Sequence, residues 1–313
     1  MGVQYTTTQL VEAIRRRGSI PSSQQLFTAN DLIDLSTDEM ETVIVPYLMG
    51  VREEYFVAFE DFDLSTYSST PVELPIPTTA IGQKLRDVCW VDDNGSITSI
   101  PRYDLEQASG TYNVNDFYNS SGFMIRGNYV VMYPSNSNSG TIRMYYFKRP
   151  LVLTATTNCG QIQSIDSGTN EVTLSFLPSD WVATNTLNAI NQNQPFDTTV
   201  SSVEITTVSF STVTLASVTG LSVGDWIALE GYSPIPQLPI EAHKVLAQAT
   251  VVKCMESMGD DKGMAASSAK LGMDLQNMYK LISPRVDGAP KKVTTAGNGI
   301  FDQTTSRNNN GIW

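Results

Sequence analysis

One histidine, three cysteines and 20 basic side chains are few for 313 residues, and each shortage excludes something. With His243 as the only imidazole, a zinc site of the usual kind or a Ser-His-Asp triad would have to be built around it. Its neighbours, Glu241-Ala242-His243-Lys244-Val245, read instead as the polar first turn of a helix. Cys89, Cys159 and Cys254 are far apart, odd in number and without a CxxC spacing, which fits buried thiols and not a disulfide framework. Against the 20 Lys and Arg stand 32 Asp and Glu, a formal net charge of −12. Affinity for nucleic acid comes largely from basic side chains that neutralise phosphate and release its counterions, so a chain this acidic that meets DNA is not built to grip it. No apolar run approaches the roughly 20 residues that span a bilayer, and the start, Met1-Gly2-Val3-Gln4-Tyr5, lacks the charged and apolar regions of a signal peptide. The expectation is a protein that meets no membrane and passes through no secretion channel.

Motifs for chemistry are missing as well. There is no GxGxxG after a strand, no GxxxxGK[ST], no GxSxG and no HExxH. Glu53-Glu54 and Asp92-Asp93 are sequence neighbours, and neighbours on a helix point about 100° apart instead of converging on a substrate. The chain is therefore expected to be no enzyme and to need no metal or cofactor.

What is present is a 41% hydrophobic composition, enough for real cores, arranged in four zones. Residues 1–66 look helical. Thr7 or Thr8 can cap a helix carrying Leu10, Val11 and Ile14, with Arg15, Arg16 and Arg17 at its negative end and Gly18 to stop it. A short helix follows at Asn30 to Leu35, and Ser36-Thr37-Asp38-Glu39 reads as a capping box opening another. The apolar stripe of that third helix, Met40, Val43, Ile44, Tyr47, Leu48, Val51, Tyr55 and Phe59, continues past Pro46, which predicts a kink and not a break. Val43, Tyr47, Leu48, Val51 and Tyr55 are the candidates for packing against a neighbouring subunit.

Residues 67–237 change to short alternating runs between Gly, Asn, Ser and Pro clusters, the pattern of an all-β module, barrel or sandwich-like. Asp92-Asp93-Asn94-Gly95 is read as a hairpin turn, because an EF-hand needs ligands at alternate positions and a Glu at its twelfth. Glu171-Val172-Thr173-Leu174 before Trp181, and Thr212-Val213-Thr214-Leu215 before Trp226, show a faint likeness short of a repeat. Residues 238–283 return to helix after the stiff connector Pro234-Ile235-Pro236-Gln237-Leu238-Pro239. The methionines there, Met255, Met258, Met264, Met273 and Met278, are read as core filler ahead of an adaptable binding face.

Residues 284–313 have little to bury and carry four basic against two acidic side chains, a net +2, where residues 1–66 carry four against eleven, a net −7. A weakly basic, apolar-tipped extension on an acidic body suits docking on a neighbour with ordering on contact. Its candidate docking residues are Arg285, Lys291, Lys292, Ile300, Phe301, Arg307, Ile312 and Trp313. The expected fold class is α+β: N- and C-terminal helices forming one helical bundle domain, a large β insertion, and an extended C-terminal arm.

Several phrases of the chain bear on function together. They are Leu35-Ser36-Thr37-Asp38-Glu39-Met40 through Ile44-Val45-Pro46-Tyr47-Leu48 to Val51-Arg52-Glu53-Glu54-Tyr55-Phe56, then Ile100-Pro101-Arg102-Tyr103 and Tyr145-Tyr146-Phe147-Lys148-Arg149-Pro150-Leu151. Ile235-Pro236-Gln237-Leu238-Pro239 and Ser283-Pro284-Arg285-Val286-Asp287-Gly288-Ala289-Pro290-Lys291-Lys292 belong with them. Over most of its length the chain resembles proteins encoded near the portal gene of tailed bacteriophages, the head-to-tail adaptors, also called connector, neck or head-completion proteins. The resemblance implies a structural virion protein at the head-tail interface, assembled in the host cytoplasm as a closed ring of about twelve copies beneath the portal. It also implies three partners besides itself: the portal protein, gripped by the C-terminal arm, the next tail or neck ring, and viral DNA that passes without specific binding. This chain departs from the smallest, all-helical adaptors by its β insertion. A β-rich binding module of a tail, baseplate or head fibre that contacts host surface glycans is the alternative, with Tyr112, Phe117, Tyr118 and Tyr133 as its aromatic candidates.

Overall fold

Thr6 starts the first helix. Its hydroxyl accepts from the Gln9 amide while the Gln9 side chain accepts from the Thr6 amide, so two amides without helical partners are satisfied at once. The cap thus lies one residue ahead of Thr7 and two ahead of Thr8, the expected positions. The structure, a computed structural model, describes residues 5–21, 23, 26–67, 71–92, 94–103, 122–133, 140–192, 194–196 and 198–283. Helix α1 (Thr7–Gly18) turns Leu10, Val11, Ala13 and Ile14 inward. The left-handed residue that ends it is Ser19, at φ 51°, and not Gly18. Gly18 matters for space: a Cβ there would stand 3.1 Å from Ile20 and 3.4 Å from Met255.

Thr28 and Asp31 form the second capping box, which opens α2 (Ala29–Glu39). Ser36 therefore caps nothing. It sits buried inside α2, donates to the Leu32 carbonyl and meets the Thr250 hydroxyl at 3.1 Å. The helical path runs on through a π turn, Met40–Ile44, into α3 (Val45–Val51). Val45 reaches back five residues to the Met40 carbonyl. A proline lacks an amide and crowds the turn before it, and widening that turn accommodates Pro46 without ending the helix. A 3-10 turn, Glu53–Phe56, closes this helical stretch. Strand β1 (Val57–Asp63) begins at once, so Phe59, expected on the helix, is on a sheet.

The β region has two parts. In the first, β1, β7 (Thr141–Lys148), β3 (Ala80–Val91) and β4 (Ile97–Ser99) form one antiparallel sheet in the order β1-β7-β3-β4. A second sheet runs β2-β6-β5, from Glu73–Pro75, Tyr129–Tyr133 and Gly122–Arg126. The two share a core of Phe62, Leu74, Val88, Val130, Ile142 and Met144. The turn at Asn94-Gly95 joins β3 to β4, with Gly95 at φ 79° and Asp92 accepting from the Asn94 and Ser96 amides, a turn role and not a calcium loop.

The second part is a closed six-stranded barrel of β9 (Gly160–Asp166), β10 (Glu171–Leu174), β11 (Thr186–Ile190), β12 (Thr198–Ser209), β13 (Thr212–Leu215) and β14 (Trp226–Leu229), in the order β10-β13-β12-β11-β14-β9. Exchanging β9, β10 and β11 for β12, β13 and β14 leaves that order unchanged, so the barrel has internal two-fold symmetry. Its hydrogen bonds obey the same exchange. The Thr184 amide donates to Ile205 and the Gly224 amide to Ile162; the Ile205 amide donates to Asn185 and the Ile162 amide to Asp225; Leu174 donates to Ser211 and Leu215 to Asn170. Thr184 and Gly224 both hold positive φ, 79° and 97°. The faint likeness at 171–174 and 212–215 is thus the visible part of a structural repeat, and those two strands pair with each other, Val172 opposite Val213.

A two-stranded parallel ladder of β8 (Val152–Leu153) and β15 (Tyr232–Ser233) lies between barrel and helices. The proline-rich connector after it is not a surface linker, because Pro234 through Leu238 are all buried. Helices α4 (Ile240–Met258) and α5 (Asp261–Ile282) follow, separated by Gly259 at φ 69°. One core holds Leu10, Ile14, Leu32, Ile44 and Leu48 from the first helices with Leu246, Cys254, Met278 and Ile282 from the last. The fold is therefore α+β, with the barrel between helices from the two ends of the chain.

Candidate functional site

The five residues proposed for subunit packing are engaged within the chain. Leu48 is buried, and Val43, Tyr47, Val51 and Tyr55 are half-buried against the same helical core. The Tyr47 hydroxyl donates to the Leu275 carbonyl on α5. Tyr55 belongs to a three-ring cluster with Phe56 and Phe196, at centroid distances of 5.3 and 5.1 Å, and burial raises its phenol well above the usual tyrosine range. Arg285, Lys291, Lys292, Ile300, Phe301, Arg307, Ile312 and Trp313, the proposed docking arm, lie outside the described residues, as do Tyr112, Phe117 and Tyr118.

His243 lies in the first turn of α4, as expected, between the exposed Glu241 and Lys244, but its own side chain is wholly buried. Its Nδ1 accepts from the Tyr5 amide at 3.0 Å and its Nε2 pairs with the Leu238 carbonyl at 3.2 Å, which makes Nε2 the protonated nitrogen. Burial pushes its pKa down to about 4, so it is neutral near pH 7. The three cysteines are free and buried, and burial raises Cys89 and Cys254 to about 11 and Cys159 to about 12, far from thiolate chemistry at neutral pH. Among the described residues no group of three or more His, Cys, Asp or Glu side chains could hold a metal ion, and no helix is long and apolar enough to cross a membrane.

A groove runs between β1, β7 and the barrel, with a volume of about 740 Å³. Phe59, Tyr146 and Phe196 supply aromatic faces, and Glu60, Lys148 and Glu230 supply charge. The groove walls partly desolvate Glu60 and raise its pKa, whereas hydrogen bonds from Ser202, and then Thr186, lower that of Glu230. The Lys148 ammonium lies 5.8 Å from the centre of the Phe196 ring. Sequence spacing could not have found this set. Its members come from β1, β7, the loop before β12 and the turn after β14, and only barrel closure brings them together.

In comparisons with known proteins, no family model matches the chain and no curated protein is significantly similar to it.

Proposed function

We propose that this chain is a structural virion protein, a head-to-tail adaptor. It forms a ring beneath the phage portal, joins portal and capsid to the tail, and lines the DNA conduit without a reaction or cofactor of its own. The observation that supports the reading is the core to which both the first and the last helices contribute; on this reading they form one helical bundle with the β region carried outward from it. Such a bundle gives a rigid block for stacking neighbours, and the β region and the chain beyond Ser283 remain to engage other layers. The net charge of −12 keeps phosphate from adhering to the conduit wall, within the screening distance of roughly 8 Å at physiological salt. The partners are further copies of itself, the portal, the next neck or tail ring and passing DNA. The place is the virion neck, after assembly in the host cytoplasm.

The test is truncation after Ser283. The shortened chain keeps its circular-dichroism spectrum and melting transition but no longer sediments with portal rings. Portal affinity equal to that of the full chain overturns the docking role of residues 284–313.

The groove beside Phe59 favours the second reading, a glycan-contacting module of a tail, baseplate or head fibre, because aromatic faces beside carboxylates suit sugar rings. Under that reading, host surface glycans bind the full chain and Phe59→Ala, at an exposed ring, weakens the binding with no loss of fold. No glycan binding by the full chain removes it.

A further inference from the structure

Two outward faces of the helical region carry opposite charge. Helix α4 lies between α2 and α5. Thr250 of α4 meets Ser36 of α2 at 3.1 Å, and Gln248 of α4 donates to the Ser267 carbonyl of α5 at 3.3 Å. Two positions along a helix are about 200° around it, so α2 and α5 meet different sides of α4, and they approach each other only where α3 follows α2 and Tyr47 meets Leu275.

The outward face of α2 and the π turn is acidic. Asp31, Asp34, Asp38 and Glu41 are all exposed and are spaced three, four and three apart, which makes one stripe opposite the buried Leu32, Ser36 and Met40. The outward face of α5 is basic and partly apolar. Lys262, Lys270 and Lys280 are exposed there, around Ala269 and Met273, and Met273 keeps 59% of its surface open. The acids of α5, Asp261 and Asp274, lie off that face, and Asp274 pairs with Arg17. Lys270 to Lys280 and Asp31 to Glu41 each span ten residues, a rise of about 15 Å on a helix. Among the described residues none of these three lysines, nor Asp34, Asp38 or Glu41, has a salt bridge within the chain.

We infer that the α5 face of one copy packs on the α2 face of the next copy, the lysines meeting the carboxylates and Met273 seated between them. The two surfaces are different patches of one molecule, so the contact is head-to-tail and repeats from copy to copy, closing into a ring where its rotation permits. Small residues on α5, Ala266, Ala269 and Gly272, permit the close helix approach of about 8–10 Å that such a contact needs. The closed ring rests on the adaptor reading; the contact itself rests on the two faces.

The test uses the full chain and measures molecular mass at low and at high salt. The native protein associates at low salt and dissociates as salt rises. Lys270→Glu with Lys280→Glu weakens association roughly tenfold or more, because like charges then face each other, and Asp34→Lys with Asp38→Lys does the same. Mixing the two variants, or joining all four changes in one chain, restores association. These positions are exposed, so a circular-dichroism spectrum suffices to show that the variants fold. Association of the single-face variants at native strength, failure of the mixture to recover, a closed two-fold dimer, or a native chain that stays monomeric at low salt each overturns the contact. Portal binding is measured separately, so a monomer that still binds portal rings ends this inference and leaves the adaptor reading intact.

Discussion

Gln237→Leu lowers the stability of this protein by about 2–5 kcal/mol although it removes no charge and little volume. Gln237 has none of its surface exposed, and its amide holds two distant segments together. Its Oε1 accepts from the Leu151 amide at 2.8 Å, and its Nε2 donates to the Pro195 carbonyl at 2.7 Å. Leu151 follows β7, and Pro195 belongs to the barrel loop whose next residue, Phe196, packs tilted against Tyr55 and edge-on against Phe56. A leucine fills the space but leaves a buried N–H and a buried carbonyl without partners, and each such orphan costs about 1–3 kcal/mol. The readout is the denaturant midpoint at unchanged slope. Gln237→Glu separates this account from a packing effect. An ionised carboxylate still accepts from Leu151 but opposes Pro195, whereas a protonated one can donate to it, so the Glu variant recovers stability relative to the native chain as pH falls. A Leu variant within about 0.5 kcal/mol of the native protein removes the clamp from this account.

The sequence showed the helical and β zones, the Asn94-Gly95 turn and the accommodation of Pro46, because each is written in local chemistry. What it hid depended on partners far away in the chain. The repeat in the barrel is visible only at Val172-Thr173-Leu174 and Val213-Thr214-Leu215. Its next equivalent pair, by matched hydrogen bonds, is Trp181 with Leu221, so aligning Trp181 on Trp226 breaks the frame. Strand β3 is marked in the sequence only at its end, by the hairpin turn, because Lys84, Arg86 and Asp87 interrupt its alternation and positive φ at Gly82 and Gln83 distorts its start. The charged stripe on α2 was lost for a different reason. Reading Ser36 as a cap split that helix in two, and Asp31, Asp34, Asp38 and Glu41 then fell on separate elements. Their common face emerges once Ser36 is placed in the interior against Thr250.

His243 makes stability depend on pH in a defined window. In the unfolded chain its imidazole takes a proton as pH falls below about 6.5, whereas in the native protein burial keeps it neutral down to about 4. Between these values the unfolded state binds more protons, so stability rises with pH: the contribution is complete above about 6.5, declines as pH falls, and stops declining near 4. Each pH unit inside the window is worth about 1.4 kcal/mol, so the total is about 3 kcal/mol. The cause is geometric as well as dielectric, because a proton on Nδ1 would face the Tyr5 amide that now donates to it. Glu39, Glu60 and Asp225 act with the opposite sign. Their pKa values are raised in the native protein, so each contributes stability at low pH that is lost as pH rises. The native curve alone therefore mixes the effects, and the difference between the native chain and His243→Gln isolates the histidine. That difference favours the native chain most above pH 6.5 and narrows by about 3 kcal/mol toward pH 4. A difference that stays constant across the window shows that His243 titrates alike in both states, and the buried neutral imidazole is then wrong.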